Sequence, residues 1–497
     1  MKLSVCLLAS EATPLSKTGG LADVSAALTK YLHSVGHDVR LFTPLYKSID
    51  RVKIGARPLE GLQDFEVPVG SHRYRFSVLQ ALLPGTSPLG IPSLAAQSPA
   101  AVYLFDCPML FNRATLYTTD ADEHLRFLAF TRAAFIACQR MNWAPNILHS
   151  NDWHTAFGPL FLKALYDTDP LFKGTRSVLT IHNIGYQGTF SASAVADVGL
   201  GPKSYLLHQD ELKAGHINPL RHGIMYADAI TTVSPTHARE ICTDQYGMGL
   251  QDTLRQRGGA LSGILNGVDY DEWDPRRDRH IPKHFDPDTL EVKGELKREF
   301  IERLKLTISP EVPLGGIVSR LALQKGFELM FESLPQIMEW REFGLVVLGS
   351  GEPKYEEFFT QLEGKFPGRV HFRRGYDEAL SHWIEAACDL FIMPSLYEPC
   401  GLNQMYSLRY GTVPIVRKTG GLADSVEHYN PDTGAGTGIV FNDFNTEALE
   451  WGLNTALDLY AAPTHWQRMV RNGMRKDFSW ERQGELYVKL FMQLLGV

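Results

Sequence analysis

A chain of 497 residues, 44% of them hydrophobic and with a formal net charge of −7, is too long for one core and fits two domains of roughly 200–250 residues. The mild acidity argues against nucleic acid or an anionic membrane as main partner, and no apolar stretch approaches the length of a membrane span. Six cysteines, at 6, 107, 138, 242, 388 and 400, are scattered without a Cys-x-x-Cys pair, which suits a reducing cytoplasm better than a disulfide framework or a zinc site.

In chain order, Lys2 and a short apolar run could pass for a leader. The run is brief and a glycine motif follows at once, so a first buried strand is the better reading. Short β-rich runs at 3–10, 38–44, 102–106, 147–151, 177–182 and 230–234 alternate with amphipathic segments such as 125–140. That rhythm predicts a parallel, doubly wound sheet. Residues 57–99 are irregular and rich in Pro, Gly and Ser, an excursion of strand hairpins without assigned chemistry. Residues 261–269 read as the start of a second lobe, and 274–293 as a polar loop. The βα rhythm resumes at 315–319, 345–348, 370–372, 390–393, 413–416 and 438–441, and a last amphipathic segment, 480–495, has no strand after it. The division expected is 1–260, 261–478 and a C-terminal helix, 479–497, that either closes the second lobe or reaches back to pack on the first domain.

The heptapeptide Lys17-Thr-Gly-Gly-Leu-Ala-Asp23 returns as Lys418-Thr-Gly-Gly-Leu-Ala-Asp424. One Gly-Gly pair can merely end a strand and start a helix. Two identical copies after strands point to two related lobes, each presenting open backbone to a ligand. Doubly wound sheets bind ligands at strand C-ends, which singles out Lys17, Asp152, His154, His182, Asn183, Asn266, Arg320, Lys325 and Glu398. Arg320 and Lys325 flank one short loop, a suitable clamp for a diphosphate. Gly349-Ser-Gly351 lacks the third glycine of a dinucleotide fingerprint, with Lys354 in its place, and there is no phosphate-binding Gly-x-x-x-x-Gly-Lys-Ser/Thr loop. Three Asp-x-Asp triplets, 120/122, 167/169 and 286/288, fall in polar loops and read as capping residues, so no metal or cofactor is expected.

Several motifs resemble bacterial glycogen synthases and plant starch synthases. They are the first heptapeptide, His149-Ser-Asn-Asp-Trp-His154, His182-Asn-Ile-Gly-Tyr-Gln-Gly188, Leu265-Asn-Gly-Val-Asp269, Ser319-Arg-Leu-Ala-Leu-Gln-Lys-Gly326, Gly375-Tyr376, and the block from Glu398-Pro-Cys-Gly401 to Asp424. The resemblance is colinear over nearly the whole chain. It implies a GT-B fold, two Rossmann-like domains facing a central cleft, with the acceptor side in the first and the nucleotide-sugar side in the second. It implies transfer of glucose from ADP-glucose to the non-reducing end of an α-1,4-glucan, with retention at the anomeric carbon. Carried over by position, Arg320 and Lys325 neutralise the leaving diphosphate, aided by N–H groups near Gly19 and Gly20. Glu398 holds glucose hydroxyls, while Cys400, Gly401 and Leu402 line the sugar pocket. Lys17 and Asp23 are donor-side contacts, and His182, Asp152, Asn183 and Asn266 lie on the glucose. Tyr117 and Tyr376 match positions near sugar and adenine. Many related retaining transferases carry a second glutamate where this chain has Tyr406, so Tyr406 marks a different way of holding the ribose. A UDP-glucose-dependent transferase and a catalytically silent glucan-binding scaffold are the competing readings, and a two-domain NAD dehydrogenase is weakened by the incomplete glycine pattern.

Overall fold

A computed structural model describes residues 1–83 and 99–497, so most of the later part of the 57–99 excursion lies outside the described residues. The chain forms two compact units, Met1–Val233 with Ala238–Gly267 and Trp480–Val497, and Ser234–His237 with Val268–Ser479.

The first unit is built on a ten-stranded sheet. Seven strands run parallel in the order Leu261–Gly263, Ala229–Thr232, Arg176–Ile181, Ile147–Asn151, Ser4–Leu8, Asp38–Pro44 and Ala101–Asp106. Val5, Leu7 and Leu8 are buried on both faces, as a central parallel strand requires. The strand order reverses between Ser4–Leu8 and Ile147–Asn151, which opens a crevice at their C-ends. In the excursion, Phe65–Val69 and His72–Leu82 form an antiparallel hairpin added at the far edge.

The C-terminal helix, Trp480–Leu495, belongs to this unit and packs on helix Gly20–Ser34. Gly484 permits the approach, because a Cβ there would lie 2.2 Å from the Tyr31 ring. One boundary differs from expectation. Leu261–Gly263 is an edge strand of the first sheet, paired with Ala229–Thr232, so the second unit begins at Val268 rather than 261. Three residues of Leu-Ser-Gly carry too little pattern to announce their partner.

The second unit holds a six-stranded, all-parallel sheet in the order Val370–Arg374, Gly344–Gly351, Leu314–Leu321, Leu390–Met393, Val413–Arg417 and Ile439–Phe441. Its order reverses between Leu314–Leu321 and Leu390–Met393, the same switch as in the first unit. Both units are therefore Rossmann-like. Of the Asp-x-Asp triplets, Asp169 and Asp286 cap local turns as expected. Asp120 and Asp122 instead grip Arg113, a pairing that a local pattern does not reveal.

Candidate active site

At the first switch point the chain leaves Ser4–Leu8 into Ser10 and Glu11, both buried. The Glu11 carboxylate accepts hydrogen bonds from the Thr18 N–H and hydroxyl, from the Gly19 N–H at 3.3 Å and from the Tyr117 hydroxyl. One acid thus fixes the first heptapeptide. The sequence reading missed Glu11, although an acid three residues beyond a buried strand was the available signal. Lys17 Nζ lies 2.8 Å from Asp23, which also accepts from Thr13. A Cβ added at Gly19 or Gly20 would meet no atom within 4 Å, so this backbone is open to a ligand.

The adjacent strand ends in Asn151, Asp152 and His154. Asp152 sits at φ +51°, left-handed for a residue with a side chain, which is a strained conformation of the kind that collects at functional sites. Its Oδ1 accepts from the N–H groups of His182 (2.7 Å) and Asn183 (3.4 Å) at the end of the next strand. The Asn151 side chain donates through Nδ2 to the Leu8 carbonyl, so its Oδ1 accepts from His182 Nε2 at 2.9 Å. Burial lowers the His182 pKa to about 3, and the neutral ring carries its proton on Nε2 and its lone pair on Nδ1. His154 stacks on Tyr117 with ring centroids 4.6 Å apart. Asn266 is buried with an Oδ1 that has no hydrogen-bond partner among the described residues, an acceptor suited to a ligand hydroxyl.

Burial pushes Asp152 from 3.8 to about 7, against the two N–H bonds that favour its charged form. A raised carboxyl pKa stabilises the fold at low pH, and that contribution is lost as pH rises through about 7. Asp152→Asn keeps an acceptor but cannot ionise. Denaturation across pH should show the parent losing ground to Asp152→Asn, by on the order of 4 kcal/mol between the two pKa values. A difference that stays flat with pH would mean Asp152 ionises in the fold as it does in water.

At the second switch point, Lys325 Nζ lies 2.6 Å from Glu398 Oε2, which also accepts from Ser395 Oγ at 3.0 Å. Lys325 and Arg320 flank the turn after Leu314–Leu321, and Arg320 is exposed. The Glu398 loop is held by its backbone. Leu396 N–H donates to the Gln324 carbonyl, Arg417 Nη1 donates to the Leu396 carbonyl, and Gly421 N–H donates to that of Glu398. Gly401 has φ +72°, and Gln404 Nε2 ties the carbonyls of Cys400 and Gly401 to Ser425 Oγ. Tyr376 stands three-quarters exposed after Gly375. Tyr406 is buried, and its ring stacks on Trp273 at 4.0 Å, so that face is occupied by protein.

The two copies of the heptapeptide differ in their work. The first follows the opening strand of its sheet, the second the fifth strand of its own in chain order, so their settings are not equivalent. Gly420 and Gly421 are buried, and a Cβ on either would fall about 2 Å from the Glu398 or Cys400 carbonyl oxygen. This copy clamps the Glu398 loop, where an open ligand backbone was expected. Asp424 binds the Thr236 N–H and hydroxyl, whereas Asp23 binds Lys17.

Residues 4–256 match the starch synthase catalytic domain, and residues 300–475 match glycosyl transferases group 1. The chain is 41% identical to a glycogen synthase of Koribacter versatilis over 98% of each chain, and 39% identical to one of Pseudothermotoga lettingae over 99% of each. The chain belongs to the glycogen and starch synthase family. Among solved structures, the catalytic domain of starch synthase IV from Arabidopsis thaliana, bound to ADP and acarbose, is similar over 100% of both chains, with 33% identity and a TM-score of 0.89. Sucrose-phosphate synthase from Thermosynechococcus elongatus, 15% identical with a TM-score of 0.62 over 100% of both chains, shares the fold alone. Membership of the glycogen and starch synthase family makes the chain a glycosyltransferase, with both switch points inside the matched regions.

Proposed function

We propose that this protein transfers glucose from ADP-glucose to the non-reducing end of an α-1,4-glucan with retention at the anomeric carbon. The observation that carries this reading is the Lys325–Glu398 pair at the switch point of the second sheet, where an α/β fold takes its ligand. The similar starch synthase IV was solved with ADP, which favours adenine over uracil in the donor. Lys325 and Arg320 neutralise the departing diphosphate, and Glu398 accepts glucose hydroxyls. Lys17, Asp23 and the N–H groups at Gly19 and Gly20 serve the donor. The sugar contacts assigned by family resemblance are His182, Asp152, Asn183 and Asn266 in the first unit and Cys400, Gly401 and Leu402 in the second. Tyr376 offers an exposed ring for the base, and Tyr117 backs the sugar side. The second unit takes the donor and the first the acceptor.

The reading is supported by the engagement of both Asp152 and Glu398 with other groups. Asp152 is bonded to two backbone N–H groups and Glu398 to Lys325. Retention then proceeds on one face of the sugar. The C1–O bond to phosphate breaks, the acceptor 4-hydroxyl oxygen bonds to C1, and its proton passes to the leaving phosphate oxygen. Fixed cations stabilise that phosphate as its charge grows. The six cysteines are unpaired, in keeping with action in the cytoplasm.

Glucose incorporation into glycogen, measured separately from ADP-glucose and UDP-glucose, tests the proposal. ADP-glucose should be used at least about tenfold better in kcat/KM. Preference for UDP-glucose would overturn the donor assignment, and glycogen binding without turnover of either donor would make the chain a silent scaffold.

A further inference from the structure

The polar loop that opens the second unit passes the start of helix Glu378–Ala387 and is fastened to it by histidines. Asp278 is fully buried and accepts from His382 Nδ1 (2.8 Å), the Tyr410 hydroxyl (2.7 Å) and the His280 N–H (2.8 Å).

With Asp278 Oδ2 accepting from Nδ1, the His382 proton lies on Nδ1 and the lone pair on Nε2. That nitrogen is buried and has no hydrogen-bond partner among the described residues, on a side chain 0% exposed. Rotation cannot relieve it, because the ring stacks on Trp273 at 3.8 Å and against His280 at 4.4 Å. One donor atom from each of His280, Glu378 and His382 lies within 4.8 Å of the others. Glu378 and His382 are four residues apart and share a face of their helix. With Nδ1 engaged, Nε2 is the His382 atom available to an ion.

We propose that His280, Glu378 and His382 form a binding site for a divalent transition ion of the Zn²⁺ class, with Asp278 orienting His382. Two imidazoles and one carboxylate are the donor set such an ion prefers, and three protein ligands leave a fourth position for water. The carboxylate behind His382 fixes its tautomer and ring orientation, as a partner behind a metal-bound imidazole does. Mg²⁺ and Ca²⁺, which seek oxygen ligands, fit poorly. Arg279 now contributes the neutralising charge. Its Nε lies 3.3 Å from His280 Nε2 and its Nη2 lies 3.7 Å from Glu378, on a side chain 78% exposed that can swing into water. An ion here ties the 268–290 segment to helix Glu378–Ala387, one ring away from the Trp273–Tyr406 stack. The sequence reading expected no metal, because it weighed cysteines and Asp-x-Asp triplets while Asp278 and His382 lie 104 positions apart.

The test uses the full chain, stripped with EDTA and titrated with ZnCl₂ by calorimetry and thermal melting, with MgCl₂ as control. One equivalent of Zn²⁺ should bind and raise Tm by about 2–5 °C at saturating metal, with no shift from Mg²⁺. His280→Ala should weaken binding about 10–100-fold, and Arg279→Ala, which removes a competing cation, should tighten it. Both change side chains at or near the surface, so folding is not at stake. Absence of Zn²⁺ binding, an equal effect of Mg²⁺, or unchanged affinity in His280→Ala would each overturn the site.

Discussion

Lys325→Ala is expected to lower the turnover of glucosyl transfer by about 10²–10³-fold, with KM for the donor changed far less. The cation is worth most when the diphosphate departs, and losing one preorganised charge at such a point costs about 2.7–4 kcal/mol of barrier. Its loss also strips Glu398 of its ion pair, with Ser395 Oγ still donating to that carboxylate. Because Lys325 is a fifth exposed, water can reach the gap, and the fold should survive with a modest drop in Tm. Glu398→Gln should cost a similar factor by losing a charged acceptor for sugar hydroxyls. If the pair works as a unit, Lys325→Ala combined with Glu398→Gln should fall little below either single variant, since both remove the same arrangement. Steady-state kinetics with a melt of each protein checks this. Near-parental kcat in folded Lys325→Ala would remove the cation from the chemistry.

Alanine at position 20 and alanine at position 421 should give opposite results, although the two glycines occupy the same place in identical heptapeptides. At Gly421 the new methyl would sit 2.0 Å from the Cys400 carbonyl oxygen and 2.5 Å from its Cα. Those are backbone atoms of the loop that carries Glu398, and they cannot rotate aside. The expected result is a loss of several kcal/mol, on the scale of severe overpacking, with activity abolished. At Gly20 the methyl would meet nothing within 4 Å, and alanine is the better helix former. Gly20→Ala should therefore hold or raise Tm while weakening the donor, because the methyl stands where the ligand is to approach. Thermal melts and donor KM for both variants decide it. Equal destabilisation would mean the two loops are packed alike.

The alternation of short apolar runs with helical stretches was enough to place the parallel strands of both sheets to within a few residues, Leu261–Gly263 excepted. A parallel strand buried on both faces is a property of the local run. Lys325 and Glu398 could be named from sequence because each follows such a strand directly. That they bond to one another could not, since it depends on which strands become neighbours across the switch in sheet order. Glu11 was overlooked for the same reason. Its partners, Thr18, Gly19 and Tyr117, include a residue 106 positions away.

By itself the sequence determined the fold class, the family and, Glu11 apart, the candidate polar residues at strand ends, because these rest on periodicity and short contiguous motifs. Only the tertiary structure decided what each does. It gave one heptapeptide to open space and the other to a buried clamp, assigned Leu261–Gly263 to the first sheet, and set Asp278 behind His382. Those outcomes turn on which distant backbone fills the volume beside a residue, and identical residues meet different neighbours in different parts of a sheet.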